Sequence, residues 1–367
     1  MNDFPQATFE MWRARAGDVE KLVSHTADGI RIEPLYQQSK MARTDRGMYG
    51  PWHVLQRVDH PDPLKAHAQA LEDLENGANG LALARDFDAR LLGGIALHAI
   101  DVRLEGGAEL AKAFAAHVAV LPIDPARLGV SFGLKEEALV KDLLAQGFAG
   151  PFMEADGRAF HNQGATEAQE LACVLSELVG GLRKSVPISA TLAANQDFFL
   201  TLAKFRAVRL LWARVLEASG MPFQALRVHG ETSLRMMARL DPHTNILRAT
   251  AAVFGAGLGG TDSFTVLPFS IQQGLPNAFA RRMARNTQLI VLEEAQLWRV
   301  SDAASGAGFL ESLTRDLCER AWEIFQGIEK TGELPIFNFN IETSDPIIGT
   351  KAYQLPQEYE AAVEALP

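Results

Sequence analysis

LRVHGETS (226–233), DPHTNILRATAAVFGAG (241–257), TDSFTVLPFS (261–270) and FARRMARNTQLIVLEEAQLWRV (279–300) follow one another along the chain. The first and third are short runs that end in small and polar residues, as strands do. The second and fourth carry apolar residues at helical spacing. Strand, helix, strand, helix is the rhythm of a parallel α/β architecture, in which crossover helices cover the sheet. Asp241 and Pro242 read as the N-cap and first residue of the first helix. The turn SDAASGAGFLESLT (301–314) closes the stretch. Polar groups gather where the strands stop, and in such folds that edge binds ligands.

The same rhythm runs upstream. PWHVLQRVD (51–59) reads as a strand, HPDPLKAHAQALEDLENGANG (60–80) as a helix with a proline-marked start and an Asn76 or Gly77 stop, and LALARDFD (81–88) as the next strand. Further strands are IALHAIDVRL (95–104), RLGVSFG (127–133), FAGPFMEADGRAFHNQGA (148–165, a strand and its trailing loop) and PISATLAANQ (187–196), each followed by a helical pattern. Gly220 marks the end of the helix before LRVHGETS. Counted from Pro51 there are eight strands, each with its helix, which is an α/β (β/α)8 TIM barrel.

An amphipathic stretch at 5–25, with Phe9, Trp12, Val19 and Leu22 at helical spacing, precedes the barrel. It is either folded back on its own domain or laid on a partner. DGIRIEPLY (28–36) reads as a short strand, and 334–367 as a proline-punctuated extended tail. The organisation expected is an N-terminal helical arm (1–27), a barrel (28–333) and a C-terminal tail (334–367).

A chain of 367 residues, 47% of them hydrophobic, can build one large barrel with a real core. Net charge of −10 and a pI of about 5.5 argue against nucleic-acid or anionic-membrane partners. No basic-apolar leader opens the chain and no apolar run nears the ~20 residues that cross a bilayer, so a cytoplasmic protein is expected. Cys173 and Cys318 sit in apolar helical patterns and read as buried free thiols. His53, His60, His67 and His98 fit no zinc spacing, so no metal is expected.

His161, in AFHNQGA, falls at the end of the fifth strand, where it suits a general acid or a hydrogen-bond donor to a carbonyl. A loop histidine satisfied by backbone partners is the plainer reading. His229 lies beside Arg227 and Glu231, a cationic group for an anionic ligand or a structural ion pair. Glycines crowd GAGLGGTDS (255–263), where turn chemistry accounts for most of them. The GxGxxG at 255–260 precedes a strand, so it is neither a P-loop nor a Rossmann fingerprint. Composition and spacing stop at a barrel of open function.

A set of longer matches goes further: NTQLIVLEEA (286–295), HGETS (229–233), the DP-x-x-N turn (241–245), GLGGTDSF (257–264), FHNQGAT (160–166), AKFRAVRLLWAR (203–214), DPLKAHAQALEDLENGANGLALA (62–84) and SDPIIGT (344–350). Through them the chain resembles the methylmalonyl-CoA mutase family from about Asp28 to Lys330, and beyond that SDPIIGT resembles the exit of the family's barrel domain. The 62–84 segment is most like the family's small, or β, subunits. The resemblance implies a substrate barrel threaded by the pantetheine arm of coenzyme A, and a separate flavodoxin-like domain that binds cobalamin. Adenosylcobalamin there starts a radical rearrangement of methylmalonyl-CoA to succinyl-CoA. It implies roles for five residues: His161 at the substrate thioester carbonyl, Arg227 at a coenzyme A phosphate, Glu294 near the adenosyl group, and Asp262 where a glutamine faces the corrin. The fifth is Tyr49, in RGMYGPW (46–52), matched to a tyrosine that wedges by the corrin.

Departures from the family pattern point the other way. Phe160 stands where a tyrosine precedes the histidine, and Phe132 where the fourth strand carries a glutamine. The segment whose arginine clamps the substrate carboxylate has no counterpart between Leu134 and Phe152, and a chain without its own cobalamin domain is expected. The expectation is a small-subunit-like component, weakly active or silent, in a heterodimer with a cobalamin-binding large subunit. The alternatives are the barrel of a split acyl-CoA mutase served by a separate cobalamin-binding polypeptide, and a plain acyl-CoA-binding barrel.

Overall fold

The computed structural model describes residues 7–39, 49–135, 137–337, 347–354, 356 and 360–364. An antiparallel pair, β1 (Ser24–His25) and β2 (Arg31–Ile32), precedes eight parallel strands. These are β3 (His53–Val58), β4 (Gly80–Leu83), β5 (Asp101–Leu104), β6 (Gly129–Ser131), β7 (Met153–Asp156), β8 (Ile188–Ala194), β9 (Val228–Thr232) and β10 (Ser263–Thr265). They are joined in the order β6-β5-β4-β3-β10-β9-β8-β7. The ring closes just past β6, where Leu134 bridges Met153 in parallel and the amides of Phe132 and Leu134 donate to the carbonyls of Pro151 and Phe152 at 3.0 and 2.9 Å.

The helices are α1 (Phe9–Ala16), α2 (Pro63–Glu75), α3 (Gly107–Ala119), α4 (Val140–Ala145), α5 (Gly157–Asn162), α6 (Glu167–Arg183), α7 (Phe198–Ala218), α8 (Thr244–Gly259), α9 (Ala278–Leu289) and α10 (Gly308–Thr331). Asp62, with Pro63 behind it, caps α2, Thr166 and Gln169 form a capping box on α6, and Gly220 turns left-handed behind α7. The core lies between strands and helices. On one side Leu192, Phe205, Leu211, Val253 and Phe264 pack together; on the other, Leu81, Leu104, Phe114 and the stacked Phe132 and Phe152. Each such side chain contributes roughly 1.5–3 kcal/mol on leaving water.

Several local expectations change. The amphipathic stretch at 5–25 is not one helix: Gly17, at φ +73°, breaks it into α1 and a 3-10 turn at Val19–Leu22, and neither buries a residue. In 28–36 only Arg31 and Ile32 pair, and they pair with β1, not with the barrel. The hairpin therefore straddles the boundary drawn between arm and barrel. Asp241 does not cap α8. It adopts φ +46°, its carbonyl accepts from Thr244 N, and His243 precedes the first helical residue. The stretch behind β7 is the short helix α5, not a loop.

The glycines at 255, 257 and 259 are not turn residues; they lie inside α8. A Cβ at Gly257 would come within 2.8 Å of the Trp52 ring, and one at Gly259 within 2.6 Å of the Phe205 Cβ. Gly255 and Gly259 let α7 approach and Gly257 makes room for Trp52, whereas Gly260, at φ +95°, turns the chain. In the tail, residues 344–346 of SDPIIGT fall outside the described residues, whereas Val363 pairs with Pro276 and Ala361 is buried.

Candidate functional site at the barrel axis and rim

Successive side chains of a strand point to opposite faces, so register decides which residues meet on the barrel axis. His53, Leu55 and Arg57 of β3 share a face with Asp101, Arg103 and Glu105 through the pairings of β3 with β4 and β4 with β5. Glu154 and Asp156 of β7, Thr191 of β8, His229 and Glu231 of β9, and Ser263 and Thr265 of β10 face the same way. Their partners confirm it. Arg103 donates to Glu105 at 2.9 Å and pairs with Glu154, which also accepts from Thr191. Arg57 reaches Glu105 at 3.0 Å. Arg158, from the first turn of α5, spans the axis: its guanidinium is 2.7 Å from Glu105, 2.9 Å from Glu231 and 2.9 Å from Asp156. Three arginines and four carboxylates thus occupy the bore near the C-terminal ends of the strands.

Burial and mutual charge set the protonation of this network. Burial pushes Glu105 upward, but Arg158, Arg103 and Arg57 outweigh it and hold that carboxyl well below the usual range. Asp156 is likewise held low by Arg158 against its burial. Glu231 goes the other way, because burial and Glu105 outweigh Arg158. His229 is pushed far down by burial and then by Arg103 and Arg158, so its ring is neutral. Its Nδ1 meets Ser263 Oγ at 2.8 Å. A charged pair this buried is expensive to break.

His161 is fully buried on α5, outside the bore. Its Nε2 is 2.8 Å from Ser233 Oγ, just past β9, and its Nδ1 is 3.2 Å from Glu170 on α6. Glu170 also accepts from Lys204 at 2.6 Å and from the Ala193 amide at 2.9 Å. The guanidinium of Arg235 binds the His161 carbonyl at 2.8 Å. Gly157 makes room for this: a Cβ there would stand 2.7 Å from the Glu170 carboxylate and 2.9 Å from Thr191 O.

The other four candidates do not join His161. Arg227 sits one residue before β9, at the N-terminal mouth, 4.0 Å from Asp101, which also pairs with His53 at 2.6 Å. Asp262 faces the helix layer, where its carboxylate accepts from Arg209 at 3.1 Å and from the Val228 amide at 2.7 Å. Tyr49 is 96% exposed just before β3. Glu294 is exposed at the end of a π-helical turn that continues α9. That end of α9 lies at the N-terminal edge of the barrel, because Gln288 accepts from Trp52 at 3.2 Å and Leu289 lies against Gly77. His161 and Ser233 lie at the opposite edge.

Sequence reading missed Arg57, Arg103, Glu105, Glu154, Asp156 and Arg158. A signal existed: Asp101-Val102-Arg103-Leu104-Glu105 and Glu154-Ala155-Asp156 put charges at every second position of strands. Among the described residues no group of His, Cys, Asp and Glu could hold a metal ion. Cys173 and Cys318 are free thiols, each pushed by burial to about 12. No helix is long and apolar enough to cross a membrane among the described residues.

Comparison with known proteins bears on the whole. The sequence profile of the family described as methylmalonyl-CoA mutase matches residues 152–337. The methylmalonyl-CoA mutase small subunit of Streptomyces virginiae is 38% identical over 397 residues, covering 89% of this chain and 64% of its own length. The probable methylmalonyl-CoA mutase small subunit of Mycobacterium tuberculosis is 37% identical over 380 residues, covering 87% and 62%. That of Propionibacterium freudenreichii subsp. shermanii is 31% identical over 402 residues, covering 90% and 63%. The chain thus spans less than two thirds of the length of the curated relatives it matches.

Proposed function

The chain belongs to the methylmalonyl-CoA mutase family, and from that premise we propose that it is a small-subunit-like barrel, silent in the isomerisation of methylmalonyl-CoA and succinyl-CoA, that serves a cobalamin-binding large subunit. One observation carries the reading. The axis along which the family resemblance runs the pantetheine arm is filled by Arg57, Arg103 and Arg158 with Glu105, Glu154, Asp156 and Glu231. Threading a neutral arm through would strip several buried charges of their partners, at roughly 3–5 kcal/mol for each pair broken.

The residues present do not fit adenosylcobalamin either. Asp262 is spent on Arg209 and the Val228 amide, and Glu294 and Tyr49 are exposed side chains that do not face His161. No step of this chain runs through that cofactor. Support for a partner comes from α1, which buries no residue and presents Phe9 and Met11, with Trp12 packed on Phe9 at 5.3 Å between ring centroids.

The test is direct. Methylmalonyl-CoA titrated calorimetrically into the isolated chain gives no saturable heat at micromolar concentration, and the chain co-purifies with a cobalamin-binding large subunit. Tight binding of methylmalonyl-CoA, together with turnover when only a cobalamin-domain protein is added, would overturn the reading in favour of a split mutase.

A further inference from the structure

Beside the bore, at the C-terminal rim, the Ser233–His161–Glu170 group has the layout of an activated nucleophile. The hydroxyl is 2.8 Å from one ring nitrogen, and the carboxylate is 3.2 Å from the other. Glu170, nearer to Nδ1 than the Arg235 Nη2 at 3.4 Å, orients the ring: a proton on Nδ1 donates to Glu170, which leaves Nε2 to accept from Ser233. The supports are rigid. The Ser233 amide donates to Ala194 O at 2.7 Å, Glu170 is clamped by Lys204 and the Ala193 amide, and Gly157 permits the close approach of α5. Burial lowers the His161 pKa against the pull of Glu170, so the ring is a neutral base at pH 7.

Ser233, although buried, also lines a space. A cavity of about 350 Å³ lies between the β1–β2 hairpin and the starts of α6, α7 and α10. Ser233, Arg235 and Asn195 line its polar side together with the carboxylates Glu167 and Asp197; Phe199, Phe309 and Leu313 line its apolar side. Small-molecule sites run from roughly 300 to 1,000 Å³, so this one has room for a short acyl group. Arg235 lines the same wall, with its guanidinium held on the His161 and Ala165 carbonyls at 2.8 and 3.2 Å.

We propose that Ser233 is an acyl-accepting nucleophile, with His161 as its general base and Glu170 as the group that orients the base, acting on short-chain acyl esters or thioesters. Ser233 Oγ attacks the acyl carbonyl while its proton passes to His161 Nε2. The bond from the acyl carbon to the leaving oxygen or sulfur then breaks, and His161 returns the proton to the departing alcohol or thiol. Water, deprotonated by the same nitrogen, cleaves the acyl-serine to free acid and Ser233. No oxidant, reductant or further co-reactant enters. This site is separate from the bore, and the proposal stands or falls independently of the silent-subunit reading.

The full chain is treated with a fluorophosphonate probe and analysed by intact mass and peptide mapping. One adduct is expected, on Ser233, absent from heat-denatured protein and from Ser233→Ala. Labelling should slow by at least ~100-fold in His161→Gln, the loss of a general base. Acetyl esters and acetyl thioesters, assayed side by side, should give acyl-enzyme of matching mass and identify the leaving group preferred. No adduct on Ser233 of the folded wild type, an adduct elsewhere, or equal labelling of native and denatured protein each overturns the proposal. Because the wild-type and denatured controls decide it, the test survives a variant that fails to fold.

Discussion

Replacing Arg158 by methionine tests the reasoning about the bore most severely. The side chain is 14% exposed and binds three carboxylates at once: Glu105, Asp156 and Glu231. With it, the network holds three arginines against four acids; without it, two against four, in a site water barely reaches. Removing one partner from buried pairs costs roughly 3–5 kcal/mol, because the others stay buried and uncompensated. Methionine keeps the volume, so little of the loss is packing. The pH dependence carries the sign. Arg158 is the main charge holding Glu105 and Asp156 down, so in the variant burial drives their folded pKa values up. A carboxyl raised in the folded state destabilises it fully above the folded pKa, and the penalty fades as pH falls toward the unfolded value. Glu231, already raised, protonates first. Urea unfolding of wild type and variant at pH 8 and pH 5.5 should give a difference of several kcal/mol at the higher pH and a smaller one at the lower, where only the wild-type stabilisation of Glu105 and Asp156 persists in full. A difference under ~1 kcal/mol at pH 8, or one that does not shrink on acidification, would refute the buried network.

Two further outcomes follow from local structure. Burial lifts Asp28 to about 6 from 3.8, against its bond from Thr166, so its docking of the hairpin on α6 is strongest when protonated. Its share of stability, about 3 kcal/mol at most, is fully present below pH 3.8 and is lost as pH rises through about 6; unfolding titrations of wild type minus Asp28→Asn should show that fall, and a flat difference curve would contradict it. Gly259→Ala should destabilise by about 1–3 kcal/mol through overpacking against Phe205 and Leu202, overriding the ~1 kcal/mol that alanine brings to a helix. Gly180→Ala in α6, with nothing within 4 Å, should instead raise the melting temperature, and equal effects at the two sites would remove the close-packing explanation.

Reading the chain residue by residue went furthest where the signal was local. Alternating strands bounded by helix starts and stops, such as Asp62-Pro63 before α2 and Gly220 behind α7, mark elements from a few neighbouring residues. Even some local signals misled. Gly255, Gly257 and Gly259 read as turns because glycine is the usual turn residue, yet each sits in α8, Gly255 and Gly259 against α7 and Gly257 beneath Trp52. Asp241 read as a cap because Asp-Pro commonly begins a helix; the chain instead makes one more turn first. Alternating charges at Asp101, Arg103 and Glu105 were visible, but nothing near them tells a lumen from a solvated face.

By itself, then, the sequence determined the eight-stranded α/β barrel and the family, since both rest on periodicity and motif order. What fills the barrel was decided by tertiary structure alone. Arg158 meets Glu105 across 53 residues of chain and Glu231 across 73, and those contacts exist only once β6 closes on β7 and register turns alternate residues of distant strands onto one axis. Ser233 and His161 are 72 residues apart and touch for the same reason. A side chain's partners across a closed sheet follow from pairing register, and register is a property of the assembled ring and not of any segment in it.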